Sequence, residues 1–264
     1  MRFFSFFHLF SRRAHVHEAF SPMSQGGVKL IAHRGLCTHA PENSLAAFVA
    51  AGEADFYGIE TDVHRTRDGQ FVTLHDDSTG RVADRDLSVK RSALKELRSL
   101  TLRMPDGTAS DTFRIPTLKE YLAVCKKYRK AAVIELKYGL SKEDIHDLVA
   151  EIKRAGYLKE TVFISFTFSY LTTLRELLPD QPLLHLTAEA SEKELHTLTA
   201  HRIGIDLSHH ALSCEAAQKL RAAHIPIGVF TVNDPETAQR MITLGAEYLT
   251  CDRPIAVPHN PAGP

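Results

Sequence analysis

The chain has 264 residues, 44% of them hydrophobic and 24% charged, which excludes a disordered or fibrous protein and fits one large domain or two small ones. Lysine plus arginine equals aspartate plus glutamate at 32 each, so the basic excess of a nucleic-acid binder is absent. The cysteines, Cys37, Cys125, Cys214 and Cys251, are far apart with no C-x-x-C pair, and read as reduced, buried thiols rather than a disulfide framework.

At the N-terminus, Arg2 precedes a Phe-rich run from Phe3 to Phe10 that Arg12 and Arg13 cut short. The run is too short to span a bilayer and no small-residue cleavage site precedes Glu18. Residues 1–27 are therefore expected to be a disordered extension, with Met23 as the true start or the place where folding begins. A cytoplasmic location without stable membrane insertion follows; the alternative is secretion or membrane contact through residues 1–22.

From residue 28 onward, short apolar runs alternate with amphipathic stretches. The predicted strands are Val28–His33, Gly58–Val63, Ala132–Leu136, Val162–Phe166, Leu183–Leu186, Ile203–Leu207, Ile227–Val232 and Tyr248–Thr250. The predicted helices are Ser44–Gly52, Leu118–Tyr128, Lys142–Arg154, Phe168–Leu178, Glu192–Ala200, Glu215–Ala223 and Pro235–Leu244, and Ser141 to Asp144 reads as a capping box. Eight parallel strands with intervening helices imply an α/β fold, a closed (β/α)₈ TIM barrel, with an open doubly wound sheet as the alternative.

Two places break the rhythm. Phe71–His75 follows the second strand after an Asp68-Gly69 turn, too soon for a parallel crossover, so it is expected to return as a β-hairpin that brings His75 to the barrel rim. The long stretch of about residues 77–115 holds a helix-like piece, Ser92–Leu100, and a polar piece, Met104–Thr112. It reads as a small cap insertion over the barrel mouth. The domain is expected to span 28–254, followed by a loose tail at 255–264.

Active sites of such barrels form at the C-terminal ends of the strands. Glu60 and Asp62, two apart on a strand, point the same way, here inward, and Glu135 adds a third acid from the neighbouring strand. Three hard oxygen ligands suit a divalent cation, Mg²⁺ or Ca²⁺. The structural alternative pairs these acids with Arg34 and Lys137. His33 and His75 are the acid–base candidates, because imidazole is the side-chain type suited to exchanging protons near neutral pH. Arg34 and Lys137 would neutralise phosphate oxygens in an in-line displacement at phosphorus.

His33-Arg34-Gly35, Pro41-Glu42-Asn43-Ser44, Glu60-Thr61-Asp62-Val63, Asp68-Gly69 with Val72 to Asp76, and Glu135-Leu136-Lys137 occur in that order. With Phe230 to Asn233, and Gly245 through Asp252-Arg253-Pro254, the set resembles the glycerophosphodiester phosphodiesterase family over roughly residues 28 to 254. The resemblance implies metal-dependent hydrolysis of glycerophosphodiesters to sn-glycerol 3-phosphate and an alcohol. It assigns metal ligation to Glu60, Asp62 and Glu135, acid–base work to His33 and His75, and motif positions to Glu42, Asn43 and Phe230, of which Glu42 and Phe230 are expected to bind substrate. Without it, Asn43 or Ser44 would be read as a helix N-cap.

The chain departs from the family's pattern at Phe230, where Trp is frequent, at Cys251 for Thr and at Glu247 for Asp, changes that bear on substrate fit rather than reaction type. The rival readings are a lysophospholipase D or sphingomyelinase D-like lipid phosphodiesterase, and a non-catalytic barrel that binds phosphodiesters. Two routes stay open at phosphorus: a cyclic phosphate formed by the substrate's own 2-hydroxyl, and direct attack by water.

Overall fold

Eight of the strands alternate with helices, so each strand enters beside its predecessor in parallel and the sheet curls until its ends meet. The computed structural model describes residues 27–256, residue 190 excepted. The barrel strands are β1 (Lys29–Ala32), β2 (Gly58–Arg65), β4 (Ala131–Leu136), β5 (Thr161–Ser165), β6 (Leu183–Thr187), β7 (Gly204–Ser208), β8 (Ile227–Phe230) and β9 (Tyr248–Cys251). Parallel pairing of β1 with both β2 and β9 closes them into a (β/α)₈ barrel. The open-sheet alternative is thereby set aside.

The interval between β2 and β4 holds β3 (Phe71–Thr73), which pairs antiparallel to β2 with Val63 opposite Thr73. The expected hairpin is present, and it carries the chain back toward the mouth at His75. Val72 of β3 and, beyond the hairpin, Leu74, Val82, Ala83, Val89, Leu97, Leu100, Leu102 and Ile115 form a second apolar core, separate from that of the barrel. The insertion is thus seated on β3 by burial of its own apolar side chains. The helix expected over Ser92–Leu100 is shorter: α2 spans only Leu94–Leu97, after a 3-10 turn at Val89–Arg91. Leu97, Leu100 and Leu102 all reach the second core, and a longer straight helix would turn some of them away from it.

The outer helices are α1 (Leu45–Glu53), α3 (Leu118–Tyr128), α4 (Lys142–Ala155), α5 (Phe168–Leu177), α6 (Glu192–His201), α7 (Cys214–Ala222) and α8 (Pro235–Thr243). Most begin at a side-chain cap. In the expected capping box, Ser141 Oγ accepts from Asp144 N–H while the Asp144 carboxylate accepts from Ser141 N–H at 2.8 Å. At α1 the cap is Ser44, which accepts from Ala47 N–H, leaving Asn43 free for another task.

Inside the barrel, Ile31, Val133, Val162, Ile164, Leu184 and Leu186 make an apolar plug. At its lower end the Lys29 ammonium donates to Tyr248 Oη at 3.0 Å and lies against the Tyr248 ring. Between barrel and helices, Phe48 of α1 meets Tyr121 of α3 edge-to-face at 5.0 Å, and Tyr121 Oη donates to the Ile59 carbonyl of β2 at 2.6 Å.

Cys125 and Cys251 are buried and Cys37 is partly so, but Cys214 is exposed, because it opens α7 on the outer surface. Ile255, expected in the loose tail, is only 7% exposed and joins the main core. Residues 1–26, expected to be a disordered extension, and residues 257–264 of the expected tail lie outside the described residues. Among those described, no helix is long and apolar enough to cross a membrane.

Tyr121→Phe removes a fully buried hydroxyl from the α3–β2 junction and leaves its acceptor short of a partner. It should lower unfolding free energy by about 1–2 kcal/mol. Urea titration reads this as an earlier midpoint at unchanged slope; an unmoved midpoint would deny the bond any role in stability.

Candidate active site

The β2–β4 register sets Asp62 beside Glu135 and Glu60 beside Val133. With the two-residue strand period, this aims Glu60, Asp62 and Glu135 into the barrel mouth, their ligand oxygens within 4.8 Å of one another. All three are buried. Burial and the neighbouring carboxylates push the Glu60 carboxyl well above its ordinary range, and the same two causes bring Glu135 up to about 7. Asp62 goes the other way: the Lys137 and Arg34 charges outweigh its burial and hold its carboxyl low. A cluster of oxygens that cannot all ionise unaided is what a divalent cation would relieve, so the residues present fit one.

The surroundings already supply part of that relief. Lys137 Nζ lies 2.9 Å from Glu135 Oε1 and 3.3 Å from Asp62 Oδ1. Asn43 Nδ2 donates to Asp62 Oδ2 at 2.8 Å, while its own Oδ1 accepts from Thr61 Oγ1 at 2.6 Å. Asn43 is 1% exposed and has a left-handed φ of 54°, so its motif position serves the acid cluster and not a helix cap.

Arg34 and Gly35 turn the chain sharply after β1, with φ of 54° and 84°. The turn brings Arg34 N–H to Glu60 Oε2 at 2.8 Å. Only glycine suits the next position, because a Cβ there would stand 2.7 Å from the Ala47 backbone carbon. The Arg34 guanidinium donates from Nη1 to Glu42 at 3.0 Å, and its Nε, 3.6 Å from Asp62, is a buried donor without a hydrogen-bond partner.

His33 and His75 both line one cavity of about 270 Å³, together with Arg34, Glu60 and Glu135. Each has Nδ1 against a carboxylate: Asp252 Oδ1 at 2.7 Å from His33, and Asp76 Oδ1 at 2.6 Å from His75. Carboxylates accept and imidazole Nδ1–H donates, so Nε2 is left as the basic nitrogen of each neutral ring. Asp252 is itself gripped by Asn233, whose Nδ2 donates to Oδ2 at 2.6 Å.

The outer wall is apolar. Phe230 packs edge-to-face on Phe166 at 6.4 Å, and Phe166 is 41% exposed at the rim. The expected residues therefore divide. His33, His75, Glu60, Glu135, Arg34 and Phe230 line the cavity; Asp62 and Lys137 join the acid cluster without lining it. Glu42 has another setting: it accepts from Arg34 and, at 2.7 and 2.8 Å, from both terminal nitrogens of Arg81 in the insertion. Its oxygens are taken by guanidinium groups, which explains why it does not line the cavity.

Sequence reasoning gave no role to Asp76, Asp252 or Asp206. Asp76 adjoins His75 and could have been noticed; Asp252 lies 219 positions from His33 and meets it only through barrel closure. Asp206 is an acid inside the otherwise apolar Ile203–Leu207 run, and that oddity was the available signal. Cys37, with Sγ 3.4 Å from the Arg34 carbonyl, is held as the thiol, since burial pushes it up to about 12.

Known proteins resemble this chain over most of its length. The Bacillus subtilis protein YhdW is 31% identical over 232 residues, covering 85% of this chain and 94% of its own. A glycerophosphodiester phosphodiesterase of Caldanaerobacter subterraneus is 27% identical over 228 residues, covering 85% of this chain and 94% of that one. An Oleispira antarctica phosphodiesterase, solved in complex with the product sn-glycerol-3-phosphate, superposes with a TM-score of 0.78 at 27% identity, covering 85% of this chain and 92% of that one. Residues 33–256 match the glycerophosphoryl diester phosphodiesterase family, and the chain belongs to it.

Proposed function

We propose that the protein hydrolyses glycerophosphodiesters to sn-glycerol 3-phosphate and an alcohol, with His33 and His75 as the proton-transfer pair. The observation that carries this reading is the convergence of two histidines, each held at Nδ1 by a carboxylate, on one cavity that also contains the acid cluster. One Nε2 accepts the proton of the attacking hydroxyl, and the other donates to the departing alkoxide. Arg34, with an unpartnered Nε–H, suits a phosphoryl oxygen. Glu60, Asp62 and Glu135 would hold Mg²⁺ or Ca²⁺, which supplies positive charge to offset that of the phosphoryl oxygens. Lys137 steadies Asp62 and Glu135 as anions, a use of its charge that differs from direct phosphate contact.

The attacking group in this reading is the substrate's own 2-hydroxyl, which forms a cyclic phosphate that water then opens while the histidines exchange roles. Its support is the presence of two equivalent imidazoles, one for each direction of proton flow.

Metal-stripped protein should release no sn-glycerol 3-phosphate from glycerophosphocholine and should regain activity on adding Mg²⁺ or Ca²⁺. His33→Ala and His75→Ala should each lower kcat by about 10²–10⁴-fold. Full activity in either variant would remove that histidine from the mechanism. Preferred turnover of lysophosphatidylcholine would move the assignment to a lipid phosphodiesterase. A 2-O-methyl glycerophosphodiester should be inert; brisk hydrolysis would establish direct attack by water.

The pH dependence of Asp76 has a definite sign. Burial alone would raise its carboxyl, but hydrogen bonds from Arg81 and His75 outweigh that and bring it down to about 2. A carboxyl lower in the folded state than its unfolded value of roughly 4 stabilises above that value and loses its contribution as pH falls through about 2. Asp76→Asn should therefore lower Tm at pH 7, and the gap from the unaltered protein should close as pH approaches 2. A gap independent of pH would exclude charge as its origin.

A further inference from the structure

Among the described residues, two buried side-chain atoms lack a hydrogen-bond partner, Arg34 Nε and Asp206 Oδ1, and both belong to residues that line the cavity. Arg34 faces the acid cluster and suits a phosphoryl oxygen, as above. Asp206 has no such explanation. It stands in the middle of β7, is 4% exposed, and is flanked in register by Leu186 of β6 and Gly228 of β8. Gly228 makes room for it, because a Cβ at that position would lie 2.9 Å from Asp206 Oδ1. A carboxyl seated against a glycine inside an apolar barrel is a costly arrangement unless a ligand completes it.

The cavity itself indicates which part of the ligand that is. Its rim carries Phe166, 41% exposed, whereas Asp206, next in register to Leu186 of the apolar plug, lies at the closed end. Resting on the proposed hydrolysis, the alcohol that departs needs the open rim. The glycerol half, common to every substrate of this class, then turns inward. Its 2-hydroxyl is engaged at phosphorus, so one polar group of that half is left without an assigned partner: the terminal hydroxyl.

We propose that Asp206 is the specificity-determining residue for the glycerol half, its carboxyl hydrogen-bonding the terminal hydroxyl at the closed end of the cavity. The contact works with the carboxyl in either protonation state, since an oxygen accepts from the hydroxyl in both. It also makes the site exclude 1-acyl lysophospholipids, whose terminal oxygen is esterified, has no proton to donate and carries a chain the closed end cannot admit.

The test compares sn-glycero-3-phosphocholine with the same ester of propane-1,2-diol, which keeps the 2-hydroxyl and lacks the terminal one, by choline release from metal-loaded protein. The unaltered protein should favour the glycerol ester by at least about ten-fold in kcat/KM. Asp206→Leu, which keeps the branched shape and removes both oxygens, should bring the ratio near one by losing activity on the glycerol ester, while the isosteric Asp206→Asn should keep most of the preference. Equal turnover of the two esters by the unaltered protein would overturn the assignment without recourse to any variant. So would a Leu variant that loses activity on both esters in equal proportion, the mark of a structural role. Absence of turnover on both esters by the unaltered protein would instead overturn the proposed hydrolysis, and this assignment with it.

Discussion

Three carboxylates share one small volume at the barrel mouth, and much of the local structure answers that constraint. At 4.8 Å or less, each ionised pair repels by at least about 3 kcal/mol at an effective dielectric constant near 20. Left alone, such a cluster would take up protons or force the strands apart. The chain instead surrounds it with donors: Arg34 N–H on Glu60, Asn43 on Asp62, and the Lys137 ammonium between Asp62 and Glu135. The left-handed turn at Arg34 and Gly35 is part of the same answer, because without it the Arg34 N–H would not reach Glu60.

From this cluster an alternating chain of charge runs outward to the insertion. Asp62 faces Arg34, Arg34 faces Glu42, Glu42 faces Arg81, and Arg81 donates to Asp76 at 2.6 Å, the residue that holds His75. The insertion therefore does more than bury its own apolar core. Through Arg81 it determines how Asp76, and with it one of the proposed proton-transfer groups, is oriented. On the other side, pairing of β1 with β9 sets Ala32 beside Cys251, so the next residue along each strand, His33 and Asp252, also meet. One histidine is oriented by a local sequence neighbour and the other by closure of the barrel, and the two end in equivalent surroundings.

How much of this was legible can be judged from particular residues. The alternation of apolar runs with amphipathic stretches carried the barrel, and the Asp68-Gly69 turn carried the hairpin, because both are local patterns. The inward direction of Glu60 and Asp62 followed from strand period alone. The length of α2 did not, because it depends on a second core assembled from distant leucines. Glu42 was recognised by its motif but not by its task, since Arg81 lies 39 positions away. Cys214 was expected to be buried by residue type, yet its place at the exposed start of α7 decides otherwise.

By itself, the sequence determined the order of elements, the family through its ordered motifs, and the kinds of groups at the strand ends. These are properties of local periodicity and residue chemistry, which a linear reading contains. Only the tertiary structure decided which carboxylate holds which histidine, that Glu42 serves arginines, and that Asp206 faces the cavity without a partner. Such pairings depend on register and barrel closure, which bring together residues as many as 219 positions apart and have no trace in either residue's neighbours along the chain.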